Sequence, residues 1–563
     1  MPSNTLASLY GLSADARDRQ VLGPEIRIEV TAIDETTFRT DPEQLMAKIR
    51  ANGQKALVCL VGVQTNQFPR AAHLAHRFQA EGAQVVMGGF HVTGSMAMLP
   101  DMPDEMVDLQ RAGISFFLGE AEEGRLDELI RDAAEGALKP VYDYTKDLPS
   151  MEGQPVPRFP RELIEQAGML YSGFDLGRGC PFECSFCCII NVQGRKSRHR
   201  SPDDLEEAIR INLKMGITRF FITDDNFARN RNWEALLDRI IEIRETIDVE
   251  LKFIIQVDTV CHRIPRFVDK CIRAGVDQVF VGLENINPDN LAASKKKQNK
   301  ITEYREMMLA WKRQSVVLSA GYIVGFPNDT RESILRDIEV VKAELPIDML
   351  SLSVLTPLPG SEDHARAVRR GDWLDPDLNK YDLTHSVTRH PNFAEGELDA
   401  VHLEAGKLFY SASHCRTILR RAAALNSTRP MTTANRLIQY GAGVRLRKIF
   451  TLELGVIRLM WRKDRRPGMP LENHIAFYAR YYWDNVRSIA TLSALRIYYR
   501  LLTWILWSNP ARSDYVDAAI AAPASSDLDT LGMFTETRGG TEAVEAFRRK
   551  EMQKQAVQQK KSA

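Results

Sequence analysis

The sequence has no long apolar run and no framework of paired cysteines. Its most apolar stretch, IYYRLLTWILWS at 497–508, contains Arg500 and is shorter than the roughly 18–20 residues of a spanning helix. The first residues have neither a basic segment nor an apolar core, so we expect no signal peptide. Eight cysteines in 563 residues do not form the even framework of a small secreted domain. We therefore expect a cytoplasmic protein.

The chain also lacks net charge, although its charge is distributed unevenly. It has 74 basic and 74 acidic residues, and 44% of its residues are hydrophobic, as in ordinary globular proteins. Residues 416–512 contain 18 lysine and arginine residues against 4 acidic ones, a local charge of +14. A local excess of this size indicates an anionic neighbour.

Residues 25–150 alternate between strand-like and helix-like segments. Helical spacing covers 69–80 and 123–135, and strands are predicted at EIRIEVTAI (25–33), KALVCLVGV (55–63), AQVVMGGFH (83–91) and ISFFLGEAE (114–122). Repeated strand–helix units predict an open, doubly wound α/β sheet. Ligands of such sheets lie beyond the carboxyl ends of the strands.

A second series of strands and helices follows a proline-rich linker. Its predicted strands are SGFDLGR, TRFFITDD, LKFIIQVD, QVFVGLEN, SAGYIVGFP and DMLSLSVLTP. Amphipathic helices lie between them, and Ser201 is a suitable N-cap for one. Six such units predict a partial (β/α)6 TIM-type barrel with its functional residues at the carboxyl ends of the strands.

The domain boundaries follow from these changes of pattern. We expect a doubly wound domain at 1–150, a linker at 151–170, the barrel at 171–385, a basic aromatic helical region at 386–518 and a disordered tail at 519–563.

The central motif is Cys180-Pro-Phe-Glu-Cys184-Ser-Phe-Cys187. Three thiolates at this spacing can hold three irons of a cubane cluster and leave the fourth iron without a protein ligand. The glycines of the preceding Gly-Arg-Gly let the backbone turn tightly. The alternatives are zinc, which usually needs four ligands in two pairs, and idle thiols. Cys188 is adjacent to Cys187, so its side chain points away and is not expected to be a ligand.

This motif, with Phe186 at its aromatic position, resembles the signature of the radical S-adenosylmethionine (SAM) superfamily. The resemblance implies a metal-binding iron–sulfur site, with a [4Fe–4S] cluster on Cys180, Cys184 and Cys187. It further implies that the open iron chelates SAM, and that reductive cleavage of SAM gives a 5′-deoxyadenosyl radical.

Other segments of the predicted barrel resemble the SAM-binding segments of that family. Thr223-Asp-Asp-Asn resembles the acidic segment near the SAM amino group, although Asp224 could instead be a helix N-cap. The residues that the resemblance assigns to SAM are Asp224, Asp225, Asn226, Gln256, Asp258, Glu284 and Gly325.

The N-terminal sheet resembles the cobalamin-binding domain found ahead of many radical SAM barrels; alone, it would also fit a flavodoxin-like domain. The residues that the resemblance assigns to cobalamin are Thr65, Asn66, Gly88, Gly89, His91, Gly119 and Glu120. Glycines at strand ends would let a flat corrin approach the backbone. The D-x-H-x-x-G motif is absent because Gly89 replaces its aspartate. We therefore expect His91 to be a loop residue near the corrin, not a cobalt ligand.

The resemblance implies a cobalamin-dependent radical SAM enzyme that methylates an unactivated carbon. Methylcobalamin would deliver a methyl group to a substrate radical, and a second SAM would restore the methylcobalamin. An oxidative cyclase or rearrangement enzyme with a tetrapyrrole-like substrate, and a non-catalytic corrinoid or redox module, are alternatives. A methylthiotransferase is disfavoured because only Cys59 precedes the motif, whereas those enzymes carry a second cluster on three N-terminal cysteines.

The region after 386 combines basic runs such as WRKDRR (461–466) with many tyrosines and tryptophans. It suits a helical lid or a membrane surface, and nucleic acid is not expected. The expected partners are a small lipid-like substrate, an electron donor such as ferredoxin or flavodoxin, and the inner membrane, contacted peripherally through 416–512.

Overall fold

The computed structural model describes residues 3–35, 38–167, 171–448, 456–457, 460–463, 465–466 and 469–562. Part of the predicted linker and part of the predicted basic region, including Asp464, lie outside these residues. The strands are β1 (Leu57–Leu60), β2 (Gln84–Gly88), β3 (Ser115–Leu118), β4 (Val141–Asp143), β5 (Ser172–Phe174), β6 (Gly177–Arg178), β7 (Arg198–His199), β8 (Arg219–Ile222), β9 (Lys252–Val257), β10 (Val276–Glu284), β11 (Val317–Val324) and β12 (Met349–Val354).

Helices alternate with these strands and then continue beyond them. They are α1 (Asn4–Asp18), α2 (Pro42–Ala51), α3 (Phe68–Ala80), α4 (Phe90–Met98), α5 (Asp104–Arg111), α6 (Arg125–Glu135), α7 (Arg161–Ala167), α8 (Ile189–Val192), α9 (Pro202–Leu213), α10 (Trp233–Thr246), α11 (Phe267–Ala274), α12 (Pro288–Ala293), α13 (Tyr304–Lys312), α14 (Arg331–Glu344), α15 (Glu362–Arg370), α16 (Glu397–Phe409), α17 (Ala412–Ala424), α18 (Pro430–Ala442), α19 (His474–Ser508), α20 (Asp527–Thr530), α21 (Gly532–Thr535) and α22 (Gly540–Ser562).

The described chain divides into two compact units. One comprises 1–256, 269–276 and 356–382, and the other comprises 257–268, 277–355 and 383–563. These units do not follow the predicted domain boundaries, which stay predictions.

The first unit contains the N-terminal sheet, in which β1, β2, β3 and β4 pair in parallel in that order. Its strands are short and apolar, and their side chains pack against α3, α4 and α5 in one core. The other core, which includes Phe117 and Tyr142, packs against α6. Strands buried on both faces by helices are typical of a doubly wound sheet, so the predicted α/β class is confirmed.

The six strands predicted for the barrel all form. In the first unit, β8 lies between β5 and β9 and pairs in parallel with both. In the second unit, β11 lies between β10 and β12 and pairs in parallel with both. The predicted N-cap is confirmed, because Ser201 accepts from the Asp204 N–H at 3.1 Å and Asp204 accepts from the Ser201 N–H at 2.8 Å.

Three segments differ in the structure from what the sequence led us to expect. Residues 25–33 form no strand, and most of their side chains are exposed or half-buried. The predicted linker is packed, since Met151, Val156 and Phe159 are buried. The tail contains α20, α21 and α22, and its apolar residues Met533 and Phe534 are buried.

The helical C-terminal region belongs to the second unit, where α17, α18 and α19 pack together. Among the described helices, none has both the length and the apolar composition to cross a bilayer.

The buried carboxyl of Asp337 on α14 gives the second unit a pH-dependent stability. Burial raises its pKa to about 7; Arg336 lowers it and Asp329 raises it. Because the charged form is disfavoured in the folded state, the free energy of unfolding should fall as pH rises from about 4 to 7. We expect Asp337→Asn to raise the stability at pH 8 by on the order of 3 kcal/mol and to change it little near pH 4.

Thermal melts of the purified chain at both pH values would measure this effect. The exposed residue Asp248 supplies the matched control, because Asp248→Asn should leave both melting temperatures unchanged. An equal change of melting temperature at the two pH values in Asp337→Asn would contradict the assignment.

Candidate active site

The three cysteines of the motif lie between β6 and α8 in the first unit. Cys184 is buried, Cys180 and Cys187 are half-buried, and no cysteine of the described chain forms a disulfide. The Cys180 N–H donates to the Gly194 carbonyl at 3.2 Å, and the Cys187 N–H donates to the Cys184 carbonyl at 3.1 Å. Gly179 has φ +89°, and a Cβ there would lie 2.6 Å from the Lys196 carbonyl oxygen. The tight turn before Cys180 therefore requires glycine.

The donor set of this loop fits an iron–sulfur cluster. Within the described ranges, no group of three or more His, Cys, Asp or Glu side chains is arranged to hold a single metal ion. A cubane attaches its thiolates to separate irons, so the three cysteines of the motif need not converge on one metal ion. Burial raises the pKa of the Cys187 thiol, as do Cys188 and Cys184. The thiol is therefore protonated before it binds metal, and cluster binding must release protons.

Asp224, at the carboxyl end of β8, holds the backbone that leads into the motif. Its Oδ1 accepts from the Leu176 N–H at 2.7 Å and from the Gly177 N–H at 2.8 Å. Its Oδ2 accepts from the Asn230 side chain at 2.9 Å. Burial raises its pKa to about 7, and these hydrogen bonds partly offset the effect. Asp224 is therefore engaged by the protein itself and not as a helix N-cap, and its contact with SAM stays a prediction.

Asp225, the other residue of the acidic pair, has a carboxylate oxygen that could bind a ligand. Burial raises its pKa to about 7, and the Gly179 N–H and Arg178 lower it. Its Oδ2 is buried, and no donor within the described residues reaches it. A buried carboxylate oxygen without a donor fits the amino group of SAM. Gln256, which donates to the Asp224 carbonyl at 3.3 Å, and the buried Asn226 lie on the same side of the unit's strands, at their carboxyl ends.

A cluster of buried charges joins the N-terminal sheet to the cysteine loop. Arg178, two residues before Cys180, donates to Glu120 at 2.6 Å, to Glu122 at 2.7 Å and to Asp175 at 2.5 Å. Arg198 donates to both carboxylate oxygens of Glu120, at 2.5 and 2.8 Å. The predicted cobalamin residue Glu120 is thus committed to two arginines, and it positions the loop.

His91 lies in the first turn of α4 and is 1% exposed, so the predicted loop position was wrong. Its Nδ1 lies 3.3 Å from the Thr65 hydroxyl, and its ring packs against Phe68 with centroids 4.3 Å apart. Burial, with a smaller effect of His364, lowers its pKa to about 4, so the ring is neutral. No hydrogen-bond partner of its Nε2 is found in the described part of the chain, and this nitrogen lies 4.0 Å from Glu105 Oε1. This orphaned buried nitrogen fits a polar group of a bound cofactor.

The glycines at the strand ends serve the protein's own packing. Gly89 has φ +141°, and a Cβ there would lie 2.1 Å from the Val63 nitrogen. A Cβ on Gly88 would lie 3.0 Å from the Phe117 carbonyl, and one on Gly119 would lie 3.0 Å from the Tyr144 backbone. Neighbouring backbone therefore explains why glycine is needed at these positions, and the approach of a corrin to them stays a prediction. Asn66 lies half-buried in the short 3-10 helix Thr65–Gln67.

Replacing Gly89 with alanine should therefore destabilise the protein whether or not a cofactor is bound. The clash and the positive φ together should lower the free energy of unfolding by about 3 kcal/mol or more. Gly82 is a matched control, since it has φ +87° with nothing within 4 Å of its Cβ position, and Gly82→Ala should cost only about 1 kcal/mol. Chemical unfolding of the cofactor-free chain measures both, and equal costs would contradict the packing explanation.

The remaining predicted SAM residues lie in the second unit. Glu284 adopts φ +62° and pairs with Lys296 at 2.7 Å. Asp258 accepts from the Val260 N–H at 2.9 Å, in a local turn. Gly325 has φ +90°, and its N–H donates to Asp329 at 2.9 Å. Their roles toward SAM stay predictions.

Sequence reasoning missed the residues that anchor the motif from α15. The Ser185 hydroxyl donates to the Asp363 carboxylate, and the Asp363 N–H donates to the Ser185 carbonyl, both at 3.1 Å. Asn191 donates to the Gly360 carbonyl at 2.9 Å.

Residues 175–341 match the family model described as the Radical SAM superfamily. This range contains the cysteine motif and every residue predicted to contact SAM. The resemblance drawn from the motif is confirmed for this range.

Several relatives extend over more of the chain. Bacteriochlorophyllide d C-12(1)-methyltransferase of Chlorobaculum tepidum is 26% identical over 372 residues, which cover 63% of this chain and 74% of that protein. Hopanoid C-2 methylase of Rhodopseudomonas palustris is 25% identical over 265 residues, 46% of this chain and 55% of that protein. The structure of OxsB, a cobalamin-dependent SAM radical enzyme with aqua-cobalamin and SAM bound, aligns with a TM-score of 0.51 at 13% identity and covers 91% of this chain and 79% of that one. This structural likeness shows a common fold.

Proposed function

We propose that this chain, which carries a radical SAM domain at 175–341, is a cobalamin-dependent enzyme that methylates an unactivated carbon of a hydrophobic or amphiphilic substrate. The observation that carries the proposal is the direct linkage of the cysteine loop to the N-terminal sheet through Arg178 and Glu120. The predicted cluster loop and the predicted cobalamin domain are thereby held together within one compact unit.

The residues of the first unit have distinct roles in this proposal. Cys180, Cys184 and Cys187 hold the cluster as thiolates. Asp225 accepts from the amino group of SAM through its buried Oδ2, and its charge is favoured when a cation is bound beside it. Asp224 is a positioning residue, because its carboxylate fixes the two N–H groups ahead of the motif.

His91 would offer its unpartnered Nε2 to a polar group of cobalamin, while its Nδ1, 3.3 Å from the Thr65 hydroxyl, holds the orientation of the ring. When bound, the [4Fe–4S] cluster supplies the electron that cleaves SAM, and cobalamin carries the methyl group. The burial of His91 keeps the ring neutral, so Nε2 can accept or donate a single hydrogen bond without adding charge.

Two observations support the class of substrate. The names of the two relatives give a bacteriochlorophyllide and a hopanoid as substrates, and both molecules have large apolar ring systems. The second unit also exposes many large apolar side chains along α19.

The test is anaerobic incubation of the reconstituted chain with reductant, cobalamin, a lipid extract and SAM bearing a deuterated methyl group. We expect a lipid product that gains one deuterated methyl group, detected by mass spectrometry. A Cys184→Ala chain is the control and should yield none. A product that loses hydrogens without gaining the label would instead support oxidative cyclisation, and SAM that stays intact in every sample would support the non-catalytic module.

A further inference from the structure

Helix α19 of the second unit carries an uncovered apolar face. Its large apolar side chains include Ile475, Trp483 and Trp504, which are 78%, 66% and 70% exposed. The α19 face is defined by Ile475, Tyr482, Trp483, Val486, Ile489, Ile497, Leu501, Trp504 and Ile505. Most of these positions are spaced by three, four or seven residues, so they lie on one side of the helix.

The opposite side of α19 is fixed to the unit. Phe477, Ser488 and Tyr499 are buried at intervals of eleven residues, which is three helical turns. Packing against α18 and α17 fixes this side, and the Trp507 indole N–H donates to the Ser427 carbonyl at 3.2 Å. Since the helix cannot turn its apolar face inward, the face needs an external partner.

Basic residues line the borders of this face. Arg480, Arg487, Arg496 and Arg500 are exposed along α19, whose sole acidic residue is Asp484. At the beginning of the helix, Arg465 and Arg480 both pair with Glu472, at 3.0 and 2.6 Å, and leave one positive charge in excess. The exposed Trp461, Met469 and Leu471 lie in the segment just before it.

The charges around the α19 face distinguish between two partners that could cover it, a second copy of the chain and a lipid surface. In a symmetric pair of chains, the arginines of one copy would meet those of the other with few carboxylates between them, which is unfavourable. An anionic lipid surface instead pairs with the arginines and takes up the tryptophans and aliphatic side chains at its headgroup level. We propose that the α19 face docks this protein onto an anionic phospholipid bilayer. This inference does not depend on the proposed methylation.

Flotation of the full holo chain with lipid vesicles tests the proposal. We expect binding to vesicles of phosphatidylglycerol mixed with phosphatidylcholine, weak binding to phosphatidylcholine alone, and weaker binding as salt is raised. The double variant Trp483→Glu/Trp504→Glu should bind at least about tenfold more weakly, and Arg487→Gln/Arg500→Gln should lose about tenfold on the anionic vesicles alone.

Met552→Glu is the matched control, since Met552 is 61% exposed on α22, outside the face, and this variant should bind as the wild type does. Circular dichroism melts of every variant verify folding, and sedimentation velocity gives the oligomeric state. The proposal is overturned if the wild type ignores anionic vesicles, or if Met552→Glu loses as much affinity as the tryptophan variant. It is equally overturned if the wild type is a dimer that the tryptophan variant splits while neither binds vesicles.

Discussion

Cys184→Ala is expected to abolish cluster assembly and SAM cleavage together. Cys184 is the buried cysteine of the triplet, and its carbonyl also accepts from the Cys187 N–H, so it lies at the centre of the loop. Two remaining thiolates cannot hold three corners of a cubane. Iron content after anaerobic reconstitution should fall from about four per chain to near zero, with loss of the broad visible absorbance of the cluster.

Cys188→Ala is the matched control for this result. It removes a thiol only four residues away, keeps the Cβ, and should leave iron content and SAM cleavage intact. If Cys188→Ala lost the cluster as well, Cys188 would be a ligand and the open iron would be in doubt. An unchanged iron content in Cys184→Ala would show that Cys184 is not a ligand of the cluster.

Arg178→Met is expected to cause the largest loss of stability. Its buried guanidinium satisfies Glu120, Glu122 and Asp175 at once, and methionine keeps much of the volume without the charge. Removing one member of a buried ion cluster typically costs about 3–5 kcal/mol, because carboxylates are left buried without their partner. Since Arg178 leads directly into Cys180, the iron content should fall with the melting temperature.

The pH dependence of this loss follows from the shifted carboxyls. Burial alone would raise the pKa of Asp175, but Arg178 and Arg200 outweigh it and lower the pKa to about 2. A carboxyl with a lowered pKa stabilises the fold above about pH 4, and this stability is lost as pH falls toward 2. In Arg178→Met the carboxylates become easier to protonate. The difference in free energy of unfolding between this variant and the wild type should therefore become smaller as pH falls from 7 to 4.

The exposed Arg27 provides the comparison for Arg178. Its pair with Glu29 is at 3.3 Å with both side chains largely exposed, so Arg27→Met should leave the melting temperature unchanged. Urea unfolding at pH 7 and pH 4.5 measures these effects. A loss of stability in Arg178→Met that is equal at the two pH values would contradict the role given to the buried carboxylates.

The fold was predictable from the sequence where local pattern and tertiary packing agree. Runs such as TRFFITDD become buried parallel strands whichever neighbours they pair with. Residues 25–33 have the period of a strand, but with no paired neighbour and little burial that period has no structural consequence. In the tail, the carboxylate of Glu344 accepts from the Gly532 and Met533 N–H groups at 2.6 and 2.9 Å, and a contact over 188 residues has no signature in composition.

The local part of the site was predictable from the sequence, and its long-range contacts were not. The spacing of Cys180, Cys184 and Cys187 is local, so the sequence alone indicates the chemistry. Two of the three partners of Arg178, Glu122 and Glu120, lie 56 and 58 residues away, and no local pattern indicated that Glu120 pairs with an arginine. Likewise, only coordinates show which backbone fills the space beside Gly89 and makes glycine necessary there.

Reductive cleavage of SAM by the anaerobically reconstituted full chain measures whether the three cysteines hold an active cluster. With iron, sulfide and a strong reductant, we expect about four irons per chain and release of 5′-deoxyadenosine that depends on Cys180, Cys184 and Cys187. A chain that holds zinc or no metal at these cysteines, and that leaves SAM intact after full reduction, would contradict this expectation.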